Sequence, residues 1–122
     1  MSGLLNQDEA MSDIITLTGT VDTVPGHAVD REAFAITSFR LATLTPEGRV
    51  NYYTTTAYRE LAMTAKVSLH RGDRVIVTGR LLINEWEIGG EMSTTVELEA
   101  DSIGHDLAWG ISEFTRTVPE PA

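Results

Sequence analysis

Three aromatic residues in the sequence could bind a planar ligand if they lie on one face of a β-sheet. Tyr52 and Tyr58 are six residues apart, so in an unbroken strand both side chains point to the same face. In a later strand, Trp86 shares a face with Asn84 and Arg80 by the same alternation. Exposed rings in such an aromatic row (Tyr52, Tyr58 and Trp86) can stack on nucleobases, at ~1–3 kcal/mol per base. Packing between strands and a subunit interface are the structural alternatives.

Basic and neutral polar residues of the same strands could contact a phosphodiester backbone. Arg40 and Arg80 fall on the candidate face by parity, and Arg74 is a third candidate. A single arginine at such a position is more often a solvated surface residue than a ligand contact. The strands also offer neutral hydrogen-bond donors, which are Thr16, Thr18, Thr54, Thr56 and Asn84.

The net charge of the chain opposes simple binding of a polyanion. The 122 residues include 9 Lys+Arg against 18 Asp+Glu, for a formal charge of −9, whereas phosphate-binding proteins usually have a basic balance. Four of the acids lie near the two ends, which leaves −5 between Ile14 and Arg116; they are Asp8, Glu9, Asp13 and Glu120. Glu85 and Glu87 flank Trp86. Any binding of nucleic acid is therefore expected to rely on stacking more than on phosphate contacts.

Five strands and one helix are predicted to position these residues. Alternating apolar and polar residues indicate three strands at the start of the chain, which are Ile15–Val21, Phe34–Leu44 and Arg49–Tyr58. A helix is predicted from Glu60 to Leu69, because apolar residues recur there at helical spacing. Two further strands follow the helix, Arg74–Glu87 and Ser93–Asp101.

The order of these elements predicts an all-β fold, the five-stranded Greek-key barrel called the OB-fold, with one helix between strands three and four. Another small α+β domain is the alternative. Tyr53 is expected in the core, and Gly79 at a bend or bulge that closes the barrel. The strand positions expected to point inward are Ile15, Leu17, Val21, Phe39, Leu41, Val75, Val77, Leu81, Ile83, Val96, Leu98 and Ala100. The acids of the last strand are expected on a solvated outer face, and they are Glu97, Glu99 and Asp101.

One domain is predicted, residues 14–114, between a flexible acidic N-terminal extension, residues 1–13, and a short Pro-containing C-terminal tail, residues 115–122. The absence of cysteine excludes disulfides, thiolate zinc sites and cysteine nucleophiles. No apolar run approaches the ~20 residues of a membrane span, and the first residues lack the features of a signal peptide. A cytoplasmic location is therefore expected.

Enzymatic chemistry is not expected from this sequence. The three histidines, His27, His70 and His105, are far apart and adjoin no partner at metal-ligand spacing. The pair Gly89-Gly90 is typical of a hairpin turn, and no phosphate-binding glycine loop or nucleophile motif is present. We expect no catalytic residue, no metal and no cofactor.

Several segments, in the right order, resemble the bacterial single-stranded DNA-binding protein family. Leu69–Leu81 looks like this family, and Phe39–Thr43 resembles the second strand of the family. Tyr58–Ala62 resembles the family's entry into its helix. Val96–Gly104, followed by Leu107–Trp109, resembles the ending of actinobacterial-type members. The resemblance covers roughly residues 15–116, most of the chain.

The resemblance implies an OB-fold that binds single-stranded DNA without strong sequence preference and assembles as a homotetramer. It also implies a cytoplasmic, nucleoid-associated protein that acts in DNA replication, recombination or repair. The stacking aromatics of the family match Tyr52, Tyr58 and Trp86, the residues that parity had selected.

The chain also departs from the family pattern. The loop between strands two and three is cut to Thr45–Gly48 and holds no aromatic residue, and Leu82–Asn84 stand where the family often has basic residues. The sequence ends without the acidic tip that recruits other proteins, so recruitment by a tail is not expected. These departures leave a second hypothesis, an OB-fold interaction or structural subunit with little DNA affinity, or a partner of a full-length paralogue. RNA remains an alternative ligand, because stacking platforms accept either strand.

Overall fold

The computed structural model describes residues 13–118 of the chain. The predicted N-terminal extension, apart from Asp13, and the last four residues of the predicted tail lie outside the described residues. The strands are β1 (Asp13–Val21), β2 (Gly26–Val29), β3 (Ala35–Leu44), β4 (Val50–Tyr58), β5 (Arg74–Ile88) and β6 (Glu91–His105), and the helix is α1 (Arg59–Ser68). Within this part of the chain, no helix has the length and apolar character needed to cross a lipid bilayer.

The strands form one sheet in the order β1-β5-β6-β4-β3-β2. The sheet closes into a barrel because the end of β1 also pairs with β3, at Thr20 and Val21. β6 runs between β4 and β5, parallel to β4 and antiparallel to β5. This is the predicted OB-fold barrel with one additional strand.

The additional strand, β2, was not predicted. It pairs antiparallel with the first residues of β3 and is exposed along its whole length. Backbone hydrogen bonds therefore hold it in place, and its four residues carry no apolar alternation that a pattern could detect. Because of β2, the helix lies between the fourth and fifth strands rather than the third and fourth.

Two glycines allow the strands of the barrel to approach closely. A Cβ atom at Gly19 would collide with the carbonyl group of Ala42, and one at Gly79 would collide with the carbonyl group of Glu99. The register between β5 and β6 shifts between Thr78 and Gly79. The bulge predicted at Gly79 is therefore confirmed, and a side chain at that position would force β5 and β6 apart.

The core consists of the inward-facing residues of the strands, joined by Ala65 of α1 and by Leu69, which follows the helix. Most of the predicted inward positions are buried, and Thr37 fixes the helix by donating its hydroxyl to the Ala62 carbonyl (2.7 Å). Tyr53 packs against the core, as predicted. The prediction for Ile83 was wrong, since its side chain is 61% exposed. Among the described residues, β5 pairs only with β6 from this residue onward, and the two strands continue as a hairpin beyond the core.

Candidate nucleic-acid interface

The outer face of β4 carries the two tyrosines of the aromatic row. Thr55 and Ala57 are fully buried, so the alternate residues of the strand point outward. Tyr52 is 51% exposed and Tyr58 is 42% exposed. Between them on the same face lie two neutral hydrogen-bond donors, Thr54 and Thr56.

Trp86 lies on the same outer face, on the part of β5 that extends beyond the core. Its side chain is 41% exposed, and it lies opposite Ser93 of β6. Arg80 and Asn84 share its side of the strand and lie nearer the barrel. Because β6 pairs with both β4 and β5, the outer face is continuous from the tyrosines across β6 to Trp86.

The two arginines predicted to contact phosphate already have carboxylate partners. Arg40 donates from Nε (2.8 Å) and Nη2 (2.5 Å) to the same carboxylate oxygen of Asp22, and its guanidinium carbon lies 4.4 Å from the centroid of the Tyr52 ring. Arg80 donates from Nη2 to the carboxylate of Glu99. Both guanidinium groups are therefore already paired with a carboxylate within the protein.

Three other candidate contacts lie elsewhere on the barrel. Arg74 donates to the hydroxyl of Thr20 (3.2 Å), and its guanidinium carbon is 4.6 Å from the centroid of the Trp109 ring. Thr16 and Thr18 belong to β1, which pairs with the edge of β5 that faces away from β6. The structure does not bring these residues to the aromatic row.

Two acids of β6 occupy the middle of the candidate interface. Glu97 lies opposite Thr54, and Glu99 lies opposite Thr56, on the face that carries the aromatic row. Glu97 also accepts a hydrogen bond from the Asn84 amide (3.2 Å). The sequence predicted an outer, solvated face for these acids, but local pattern does not reveal that β6 lies between the two strands of the aromatic row.

The acidic surroundings act on Tyr58. Burial raises the pKa of its phenol above the ordinary 10.0, and the negative charges of Glu99, Glu97 and Asp30 raise that pKa further. The phenol is uncharged at neutral pH even at its ordinary pKa, and the raised pKa keeps it uncharged at more alkaline pH. An uncharged ring can stack on a base without adding a negative charge of its own near the phosphates.

Two histidines that are distant in the sequence meet on another part of the surface. The His105 ring lies 3.0 Å from a carboxylate oxygen of Asp73, which also accepts the backbone N–H of His70 (2.9 Å). Burial alone would raise the pKa of the Asp73 carboxyl, but the hydrogen bonds from His70 and His105 and the charges of both rings hold that pKa below its ordinary value. No metal-binding cluster of His, Asp and Glu occurs in residues 13–118.

Sequence reasoning missed one pair of residues beside Tyr58. The guanidinium carbon of Arg59 lies 4.2 Å from the centroid of the Phe34 ring. Counting the β3 alternation back from Arg40 through Ile36 would have placed Phe34 on the outer face. No comparable signal exists for Arg59, because its orientation depends on the junction between β4 and α1.

Comparison with known protein families gives a match over most of the chain. The model of the family described as "Single-strand binding protein family" matches residues 14–106, most of the chain. A curated relative, single-stranded DNA-binding protein 2 of Tropheryma whipplei (strain Twist), is 41% identical over 112 residues, which covers 84% of this chain and 74% of the relative. Single-stranded DNA-binding protein 2 of Streptomyces avermitilis is 33% identical over 113 residues, covering 84% of this chain and 71% of the relative.

Solved structures have the same fold. The small single-stranded DNA-binding protein from Streptomyces coelicolor superposes with a TM-score of 0.75 at 34% identity, covering 81% of this chain and 98% of that chain. The second single-stranded DNA-binding protein from Mycobacterium smegmatis superposes with a TM-score of 0.72 at 27% identity, covering 84% of this chain and 97% of that chain. The near-complete coverage of both structures means that the whole barrel is shared.

Proposed function

This chain belongs to the single-strand binding protein family, and we propose that it binds single-stranded DNA on the outer face of its barrel. Bases stack on Tyr52, Tyr58 and Trp86 with little preference for sequence, because every base has a π-face. The observation that carries the proposal is the exposure of all three rings on one continuous face of the sheet.

Phosphate contacts are secondary in this proposal. Arg40 and Arg80 reach a phosphate only by sharing or leaving their carboxylate partners. Thr54, Thr56 and Asn84 position the DNA backbone through neutral hydrogen bonds. Affinity then depends less steeply on salt than in a basic homologue, because fewer phosphates are neutralised.

The proposed setting is DNA replication, recombination or repair, where single strands are exposed, in the cytoplasm at the nucleoid. The binding domain corresponds to residues 14–114, and the protein acts without catalysis. A homotetramer would add avidity, since one strand could cross several subunits. The alternative, an interaction subunit with little DNA affinity, is not favoured, because the matched relatives are named as single-stranded DNA-binding proteins.

Trp86 offers a direct test, because the sequence contains two tryptophans. In a Trp109→Phe variant the fluorescence comes from Trp86 alone, and we expect oligothymidine to quench it at low salt. Trp86→Ala should weaken binding of a labelled oligothymidine about ten- to hundredfold in fluorescence anisotropy, by loss of one stacked base.

The matched control is Trp109→Ala, which removes an exposed tryptophan outside the aromatic row and should leave affinity unchanged. Absence of both quenching and a mobility shift at micromolar protein would contradict the proposed function.

A further inference from the structure

We propose that Arg59, held against the ring of Phe34, is a further DNA contact and binds the phosphate next to the base stacked on Tyr58. This inference rests on the proposed function, since it adds a subsite to the same face. It assigns the phosphate contact to a residue outside the β-sheet, at the first position of α1.

The backbone fixes the position of Arg59. Its φ is 60°, in the left-handed region that side chains other than glycine rarely adopt. The conformation occurs at the junction where β4 ends at Tyr58 and α1 begins. Because Arg59 follows Tyr58 directly, its side chain originates beside the ring at one end of the aromatic row.

Phe34 lies beside the same end of the row. Ile36, two residues further along, is directly opposite Tyr58 in the β3–β4 pair. The loop that carries Phe34 is ordered by Asp30, whose carboxylate accepts the N–H of Phe34 (2.8 Å) and whose own N–H donates to the Phe34 carbonyl (3.0 Å). The side chain of Phe34 is 40% exposed, so its ring is accessible to the guanidinium group.

The charge of Arg59 is available to a ligand. Arg40 and Arg80 have carboxylate partners, whereas no ion pair in residues 13–118 includes Arg59. A guanidinium stacked on a ring keeps its N–H groups at the edge of the plane, where they can bind a phosphate through two parallel hydrogen bonds.

Three negative charges act on this end of the face. Asp30, Glu97 and Glu99 all raise the pKa of Tyr58, so they also repel the phosphate of a nucleotide bound there. One carboxylate oxygen of Asp30 accepts the backbone N–H groups of Glu32 and Phe34. Arg59, which forms no ion pair within residues 13–118, supplies the attraction that a phosphate needs at this position.

The test exploits the positive φ of Arg59. Arg59→Gly removes the guanidinium and suits the backbone, so the melting temperature should stay the same or rise. Its affinity for oligothymidine should fall about three- to tenfold, and the slope of log K against log salt should become shallower by about 0.7, the value for one phosphate on a single strand. Arg59→Asn, which also tolerates this backbone region, should give the same two changes.

The matched control is Arg116→Gly, which removes the same charge from another arginine that lies over a phenylalanine ring, that of Phe114 (5.9 Å). An equal loss of affinity in this variant would overturn the inference, because it would reflect net charge alone. Unchanged binding by Arg59→Gly, with normal binding by the unmodified protein, would also overturn it and leave the proposed function intact. No binding by the unmodified protein would reject both.

Discussion

The outer face of the barrel and the C-terminal segment, residues 106–118, both expose aromatic rings and both place arginines against them. Arg40 lies over Tyr52 on the outer face, and Arg74 lies over Trp109 at the start of the segment. The difference is the backbone beneath the rings. Strand pairing spaces the rings of the outer face, whereas the segment contains no strand or helix.

Exposure of an aromatic ring is therefore not enough to make it a binding site for a base. The rings of the C-terminal segment are more exposed than those of the aromatic row, but the backbone under them makes few hydrogen bonds, such as that from the Trp109 N–H to the Asp106 carbonyl (3.0 Å). A ligand that stacked on them would have to order the segment, at a cost in conformational entropy. The backbone beneath the aromatic row is already ordered by the sheet, so stacking there carries no such cost. For this reason we place the DNA-binding site on the sheet.

The largest effect is expected from a substitution that disrupts the sheet beneath the aromatic row. Gly79→Ala places a methyl group against the Glu99 carbonyl, which should lower the free energy of unfolding by about 1–3 kcal/mol, as overpacking usually does. Urea denaturation measures this change in the free energy of unfolding. The control is Gly110→Ala in the C-terminal segment, where nothing lies within 4 Å of the added methyl. Equal stability of the two variants would mean that the β5–β6 bulge does not constrain the barrel.

An intermediate effect is expected from removing one ring in each region. Tyr58→Ala should weaken oligothymidine binding about ten- to hundredfold, because one base loses its stacking partner. Tyr58→Phe should bind nearly as well as the unmodified protein, since the stacking surface is retained. Phe114→Ala, which removes an exposed ring of the C-terminal segment, should bind normally. A greater loss of affinity in Phe114→Ala than in Tyr58→Ala would mean that the C-terminal segment, rather than the outer face, provides the stacking surface.

The aromatic row was predictable from sequence because its determinants are local. Alternation along β4 is enough to point Tyr52 and Tyr58 outward, since Thr55 and Ala57 fill the interior. The same count places Trp86 on the outer side of β5. The core of the barrel was predictable for the same reason, except at Ile83, where the strand continues beyond the core.

The electrostatics of the face were not predictable, because they depend on which strands are neighbours. Glu99 and Arg80 are 19 residues apart in sequence and meet only because β6 pairs with β5. The position of Arg59 depends on a single positive φ at the start of a helix, and no periodicity encodes such a value. Strand β2 depends on pairing with β3, through the backbone and through a hydrogen bond between the His27 ring and the Thr37 hydroxyl (3.1 Å).

The smallest effect is expected from Glu99, whose position beside Arg80 in the middle of the outer face was not predicted from the sequence. Glu99→Gln replaces a carboxylate that accepts a hydrogen bond from Arg80 and removes one negative charge from the middle of the face. Affinity for oligothymidine should rise by a few fold, because an exposed ion pair contributes at most about 1 kcal/mol, and the salt dependence should become steeper as Arg80 engages phosphate. Anisotropy titrations across salt measure both quantities.

Glu113→Gln provides the control for that experiment, because it removes the same charge from the C-terminal segment, where Glu113 is exposed. Its affinity should change less than that of Glu99→Gln, and its salt slope should not change, since no ion pair within residues 13–118 includes Glu113. If both variants gain affinity equally and neither slope moves, the acids act through net charge alone. The Arg80–Glu99 pair would then have no specific part in setting how tightly the outer face holds DNA.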